Sequence, residues 1–157
     1  MVVATMNSVL FVCTANICRS PMAMGILRSM TLEQDDWKIE SAGVWARGGF
    51  SAHHYVELIL QEKKIDLSQH RSRPITNEII DQFNLILVME KGHKEGLKAA
   101  FPQVSNQVFL LSEMVNRRYE IIDPIGGGIA DFKETAQEIE RILETGFARI
   151  RQLASSK

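Results

Sequence analysis

Four short apolar runs stand out along the chain, separated by segments whose apolar positions recur every three or four residues. Residues 9–12 (VLFV) and 84–89 (NLILVM) are nearly uninterrupted, the pattern of strands buried on both faces of a parallel sheet. Residues 37–41 (WKIES) and 108–111 (VFLL) read as two further strands. Between them the spacing predicts helices over 22–30, 53–64, 75–83, 91–100 and 131–153. Pro21 opens the first and Phe101-Pro102 closes the fourth. In the last helix Phe132, Ala136, Ile139, Leu143, Phe147, Ile150 and Leu153 form one continuous stripe, and Asp131 with Glu134 resembles a capping pair. Residues 116–130, with Pro124 and three consecutive glycines at 126–128, predict a loop. The alternation predicts a single three-layer α/β domain, with a four-stranded, mostly parallel sheet between helices on both faces. Ligands of such sheets bind beyond the carboxyl ends of the strands, which directs attention to the residues after Val12, Ser41, Met89 and Leu111.

Composition narrows the function. The 157 residues suit one domain with a real core, and 18 Lys and Arg against 19 Asp and Glu leave a net charge of −1. That balance weighs against nucleic-acid and membrane-surface partners. No window is apolar enough to span a membrane, and the opening MVVATMNS lacks a basic leader pattern. A cytoplasmic location is expected, with residues 1–6 loosely ordered. Two cysteines, Cys13 and Cys18, cannot form a disulfide framework. His53, His54 and His93 lack metal-ligand spacing and read as surface residues; no metal or cofactor is expected.

Directly after the first strand comes Cys13-Thr14-Ala15-Asn16-Ile17-Cys18-Arg19-Ser20-Pro21. A loop that wraps into a helix start turns its backbone N–H groups inward, and the helix dipole adds positive potential. Arg19 offers a bidentate fork to an oxyanion. Both features favour a thiolate at Cys13, the nucleophilic form of cysteine. Taken alone, Cys13 reads more readily as a small buried residue at a strand end, and Arg19 as a surface charge. The strand, the spacing, the arginine and the Ser-Pro helix start together favour a phosphate cradle.

The run VCTANICRSPMA resembles the signature of the low-molecular-weight protein tyrosine phosphatases, V-C-x-G-N-x-C-R-S-P. It departs at Ala15, where the family has glycine; a methyl group there crowds or strains the loop if the position needs positive φ. The likeness extends through Ser41-Ala42-Gly43 with Trp45, His70-Arg71-Ser72-Arg73 (similar to H-x-A-R), residues 85–90, where Glu90 stands for aspartate, and Asp123-Pro124. It implies strand order 2-1-3-4, with the loop at the switch between the first and third strands.

The resemblance also implies roles. Cys13 is the expected nucleophile, forming a phosphocysteine. Arg19 and the N–H groups of Thr14, Ala15, Asn16, Ile17 and Cys18 are expected to bind the phosphoryl oxygens. Asp123 is the expected general acid, then base, although an Asp-Pro alone is more often a plain turn. Ser20 is expected to hydrogen-bond the Cys13 sulfur as well as cap the helix. Asn16, Ser41 and His70 resemble a network that holds the loop. Cys18 is either a packing residue or a redox partner that closes a disulfide on Cys13 under peroxide.

For the substrate, Ile17, Trp45 and Ile125 are expected to form the wall; Trp45 reads equally as a half-buried core residue. Residues 123–128, Asp-Pro-Ile-Gly-Gly-Gly, resemble the bacterial branch containing protein-arginine phosphatases. Those enzymes carry threonine at the position of Ile17, whereas tyrosine-specific members carry isoleucine. The reading is therefore a phosphotyrosine phosphatase acting on phosphorylated protein as a monomer or weak homodimer, with phosphoarginine as the alternative. Arsenate reduction is disfavoured, since no cysteine follows Cys18. A non-catalytic phosphate-binding module is a further alternative.

Overall fold

Alternation along the central strand sets the architecture. In the computed structural model, which describes residues 6–155, β1 (Asn7–Cys13) is buried along its whole length. Its Val9, Phe11 and Cys13 point to one side of the sheet, and Leu10 and Val12 to the other. β3 (Leu85–Val88) divides the same way, Leu85 and Leu87 against Ile86 and Val88. Neither face meets solvent, so both read as unbroken apolar runs. β2 (Trp37–Gly43) and β4 (Val108–Leu110) flank them, and all pairings are parallel, in the expected order β2-β1-β3-β4.

One face carries α1 (Arg19–Met30), α2 (His54–Glu62), α5 (Ile129–Thr145) and α6 (Phe147–Ala154). The other carries the single turn α3 (Asn77–Ile80) and α4 (Lys91–Ala100). The two cores are filled by Phe11, Met22, Leu60 and Phe132 on one side and by Leu10, Ile80, Phe83 and Leu97 on the other. Each such side chain contributes about 1.5–3 kcal/mol on burial.

Four expectations are corrected. The helix expected over 75–83 is one turn, because residues before it are held extended: Pro74 bridges Gly43, and Ile75 N–H donates to the Gly43 carbonyl at 3.0 Å. Thr76 then caps that turn by accepting from Ile79 N–H at 3.2 Å. The helix expected over 131–153 is two. At Gly146 a Cβ would stand 2.8 Å from the Met114 carbonyl oxygen and 2.9 Å from its Cβ, so the backbone passes where only glycine fits. The stripe nonetheless keeps facing the core across the break, with Ile150 buried and the half-buried Phe147 against Trp37 at 5.6 Å. The expected Asp131–Glu134 capping pair is replaced: α5 begins two residues earlier, and Asp131 accepts from the Gly128 N–H at 2.9 Å. α1 begins at Arg19, not Pro21, so the arginine of the loop is itself helical. The expectation of loose order over 1–6 lies outside the described residues except at Met6, which is exposed. Among the described residues no helix is long and apolar enough to cross a membrane.

Candidate active site

Parallel register brings the site together. Cys13 pairs with Gly43, and Val12 with Val88, so the loop after β1 lies between the ends of β2 and β3. That is the switch point of the sheet, where the chain leaves β2 and returns on the other side of β1.

Residues 14–18 form a tight turn between strand and helix. Their carbonyls face the protein. Val44 N–H donates to Cys13, Trp45 N–H to Thr14 and His53 N–H to Ile17, at 2.8–3.0 Å. The His70 ring bonds the Asn16 carbonyl through Nε2 at 2.8 Å. The backbone N–H groups of residues 14–18, by contrast, meet no protein acceptor among the described residues. A run of unmatched donors beside a helix N-terminus is an anion cradle.

The left-handed residue of the turn is Asn16, at φ 60°, not Ala15. The alanine therefore stands outside the left-handed region, and its methyl group carries no backbone strain. Asn16 tolerates that conformation and ties it down: its Nδ2 donates to Ser20 Oγ (2.8 Å) and Ser41 Oγ (2.9 Å), and its Oδ1 accepts from Arg73 N–H (3.0 Å). Arg73, given no role in the sequence reading, also donates to the Ser41 carbonyl at 3.0 Å and pairs with Glu40 at 2.6 Å.

Cys13 is buried, its sulfur 2.9 Å from Ser20 Oγ. Arg19 is also buried, and three groups orient its guanidinium. One terminal nitrogen meets Glu90 at 2.6 Å and donates to the Ile121 carbonyl at 2.8 Å; the other lies 3.5 Å from Asp123. A buried cation needs such partners to offset its lost hydration. Asp123 is partly exposed, with Oδ1 accepting from Ile125 N–H at 3.1 Å.

Glu90 and His93 were given no role in the site by the sequence. His93, expected on the surface, is buried: it sits one turn into α4 with Nδ1 accepting from Glu90 N–H (3.2 Å) and Nε2 donating to Thr14 Oγ1 (2.9 Å). Burial holds it below the ordinary histidine range, against the pull of Glu90. His70 is likewise lowered, by burial first, against its bond to Asn16, with Arg28, Arg71 and Arg73 adding to the fall. His53 is half-buried, caps α2 and stacks on Phe132 at 4.6 Å; His54 is exposed. Glu90 was signalled by its place directly after β3, at the carboxyl edge of the sheet.

The alternative of Trp45 as a core residue is overturned: it is 87% exposed beside the loop. Ile17 is half-buried and Ile125 exposed. Burial, then the charges of Asp123 and Cys13, push the Cys18 thiol up to about 12, so it stays protonated at neutral pH. Among the described residues no group of His, Cys, Asp and Glu is arranged to hold a metal ion.

The same arrangement of sheet and loop recurs in known proteins. The profile of the low molecular weight phosphotyrosine protein phosphatases matches residues 8–155. A protein-arginine-phosphatase of Geobacillus stearothermophilus is 36% identical over 137 residues, 87% of this chain and 90% of its own. A probable low molecular weight protein-tyrosine-phosphatase, EpsP, of Ralstonia nicotianae is 33% identical over 147 residues, 94% of this chain and 98% of its own. Among solved structures, the low molecular weight protein tyrosine phosphatase from T. tengcongensis superposes with a TM-score of 0.87 at 34% identity, covering 92% of this chain and 99% of that one. The YwlE arginine phosphatase from Geobacillus stearothermophilus gives 0.85 at 33% identity, covering 96% and 97%. With a matching profile over nearly its full length, the chain belongs to the low molecular weight phosphotyrosine protein phosphatase family.

Proposed function

We propose that this enzyme hydrolyses phosphotyrosine in proteins through a phosphocysteine intermediate. The observation that carries the mechanism is the set of N–H donors over residues 14–18 with no protein acceptor among the described residues, set between the buried Cys13 and the buried Arg19. Cys13 Sγ attacks phosphorus and forms the S–P bond as the P–O bond to tyrosine breaks. The N–H groups and Arg19 hold the three equatorial oxygens as charge builds. Asp123 gives its proton to the departing phenolic oxygen, then takes one from the water that cleaves the S–P bond and releases phosphate. Ser20, 2.9 Å from the sulfur, stabilises it as nucleophile and as leaving group.

Ile17 and the exposed ring of Trp45 favour an aromatic substrate, because both offer apolar contact and Ile17 has no hydroxyl to offer a guanidinium. The second reading, phosphoarginine, is favoured by arginine-phosphatase relatives at 36% and 37% identity and by the glycines at 126–128. The deciding experiment compares kcat/KM on phosphotyrosine and phosphoarginine peptides, before and after Ile17→Thr. Preference for phosphotyrosine in the wild type, reduced by the substitution, is expected; a wild-type preference for phosphoarginine overturns the reading. Turnover of para-nitrophenyl phosphate should vanish in Cys13→Ser and fall about 10²–10⁴-fold in Asp123→Ala.

Cys18 is the redox partner in this reading. Peroxide oxidises Cys13 to a sulfenic acid; the Cys18 thiol then bonds to that sulfur as its proton passes to the departing hydroxyl, releasing water and leaving a disulfide that added thiol reduces. Full recovery of Cys18→Ser after peroxide and thiol would refute that role.

A further inference from the structure

A second cleft, of about 750 Å³, opens between the end of α1, the length of β2 and residues 66–73. No residue of the 13–20 loop lines it. Its charged lining is four cations, Arg28, Lys38, Arg71 and Arg73, against two carboxylates, Glu40 and Asp66, in a chain whose net charge is −1. Both carboxylates are engaged: Glu40 by Arg73 at 2.6 Å and Lys38 at 4.0 Å, Asp66 by the Ser68 N–H at 2.8 Å.

The guanidiniums are anchored from behind. Arg28 donates to the Ile39 carbonyl through Nε at 2.9 Å, which leaves both terminal nitrogens without a protein acceptor among the described residues. Arg71 uses one terminal nitrogen for the Ser68 and His70 carbonyls, at 3.0 and 2.7 Å, and leaves its other nitrogens free in the same sense. Arginines tethered at one nitrogen present the rest as preorganised forks for oxyanions. Burial and, behind it, the Arg73 charge hold Arg28 below the ordinary arginine value, against the pull of Glu40, as expected of cations held close together. The lining also includes the apolar side chains of Trp37, Ile39 and Leu67.

We propose that this cleft binds the polyphosphate chain of a small molecule. Its volume lies in the range of small-molecule sites and exceeds the needs of a single phosphate. Forks on separate elements suit several linked phosphates better than one carboxylate. The inference goes beyond the hydrolytic reading and does not depend on it. His70 joins the two regions, since it lines the cleft and bonds the Asn16 carbonyl of the loop.

The test is calorimetric titration of the full-length enzyme with ATP and, separately, with inorganic tripolyphosphate, with the loop saturated by vanadate. Binding is expected to persist under vanadate. It should weaken at least tenfold in R28A/R71A, while kcat/KM on para-nitrophenyl phosphate stays within twofold of wild type. The His70 ring resonances should shift on titration in the wild type. Equal affinities for the two probes point to an inorganic chain as the source, and tighter ATP binding to a nucleotide whose ring meets the apolar lining residues. Absence of binding, competition with vanadate, or unchanged affinity in R28A/R71A overturns the proposal. The retained kcat/KM reports that R28A/R71A is folded, and the single variant R71Q, at an exposed position, should weaken binding in the same direction.

Discussion

Glu90 holds a position that decides how the loop arginine is aimed. Arg19 is fully buried, and its shortest ionic contact is the 2.6 Å pair with Glu90, which is itself partly exposed. Glu90→Ala leaves that cation with the Ile121 carbonyl and the longer contact to Asp123. We expect a loss of about 1.5–3 kcal/mol, the range for hydrogen bonds to charged groups, and a fall in kcat/KM. Glu90→Gln should recover most of the stability and less of the rate. Urea unfolding and steady-state kinetics on the same variants separate the two effects. His93 carries a pH signature. Its native pKa lies below the unfolded value, so the unfolded chain takes up the proton first as pH falls. The stability it lends is present above about 6.5 and is lost as pH drops through the lowered native value. The urea midpoint should therefore be lower at pH 5 than at pH 7.5, and the difference should shrink in His93→Gln. An unchanged difference would assign the pH dependence to His70, which is shifted in the same direction.

Two glycines separate stability from activity at the scale of elements. At Gly43, the last residue of β2, a Cβ would stand 2.5 Å from the Thr14 carbonyl oxygen and 3.1 Å from Asn16 Cβ, so Gly43→Ala presses on the loop backbone. At Gly146 the obstruction is the Met114 backbone, between α5 and α6. Overpacking of this kind costs about 1–3 kcal/mol at either place. Only Gly43→Ala should also lower kcat/KM, by tenfold or more; Gly146→Ala should lower the melting temperature and leave kcat/KM intact. The same elements show what the sequence discloses. β1 and β3 are legible because burial on both faces leaves only apolar residues. The loop is legible because its chemistry is local, with strand, Cys13, Arg19 and helix start in consecutive positions. The one-turn α3 and the break at Gly146 are not, because the backbone of distant residues causes them: Gly43 captures Ile75, and Met114 crowds the helix joint. His93 looked like an ordinary polar position on α4 until the fold placed Thr14 against it. The Ile121 carbonyl that seats Arg19 is a backbone group, which no side-chain pattern announces.

For the molecule as a whole, the site is the meeting point of the loop after β1, the end of β2, the start of α4 and the segment before α5. An oxyanion held in the cradle therefore binds only the folded chain. Vanadate at about a hundred times its dissociation constant should add about 2.7 kcal/mol to stability. A thermal melt should show the corresponding rise, and Arg19→Ala should abolish it. A melting temperature indifferent to vanadate would contradict the cradle.

The bond from Arg19 to the Ile121 carbonyl spans 102 positions of sequence. During synthesis the signature loop is made before its partners, with Cys13 and Arg19 both in place. At about 5–20 residues per second, roughly 5–20 s pass before the carbonyl that seats its arginine is made, and Asp123 follows it. Through that interval the nascent chain carries the motif without the groups that complete the site, so phosphatase activity waits on a segment made about a hundred residues after its signature.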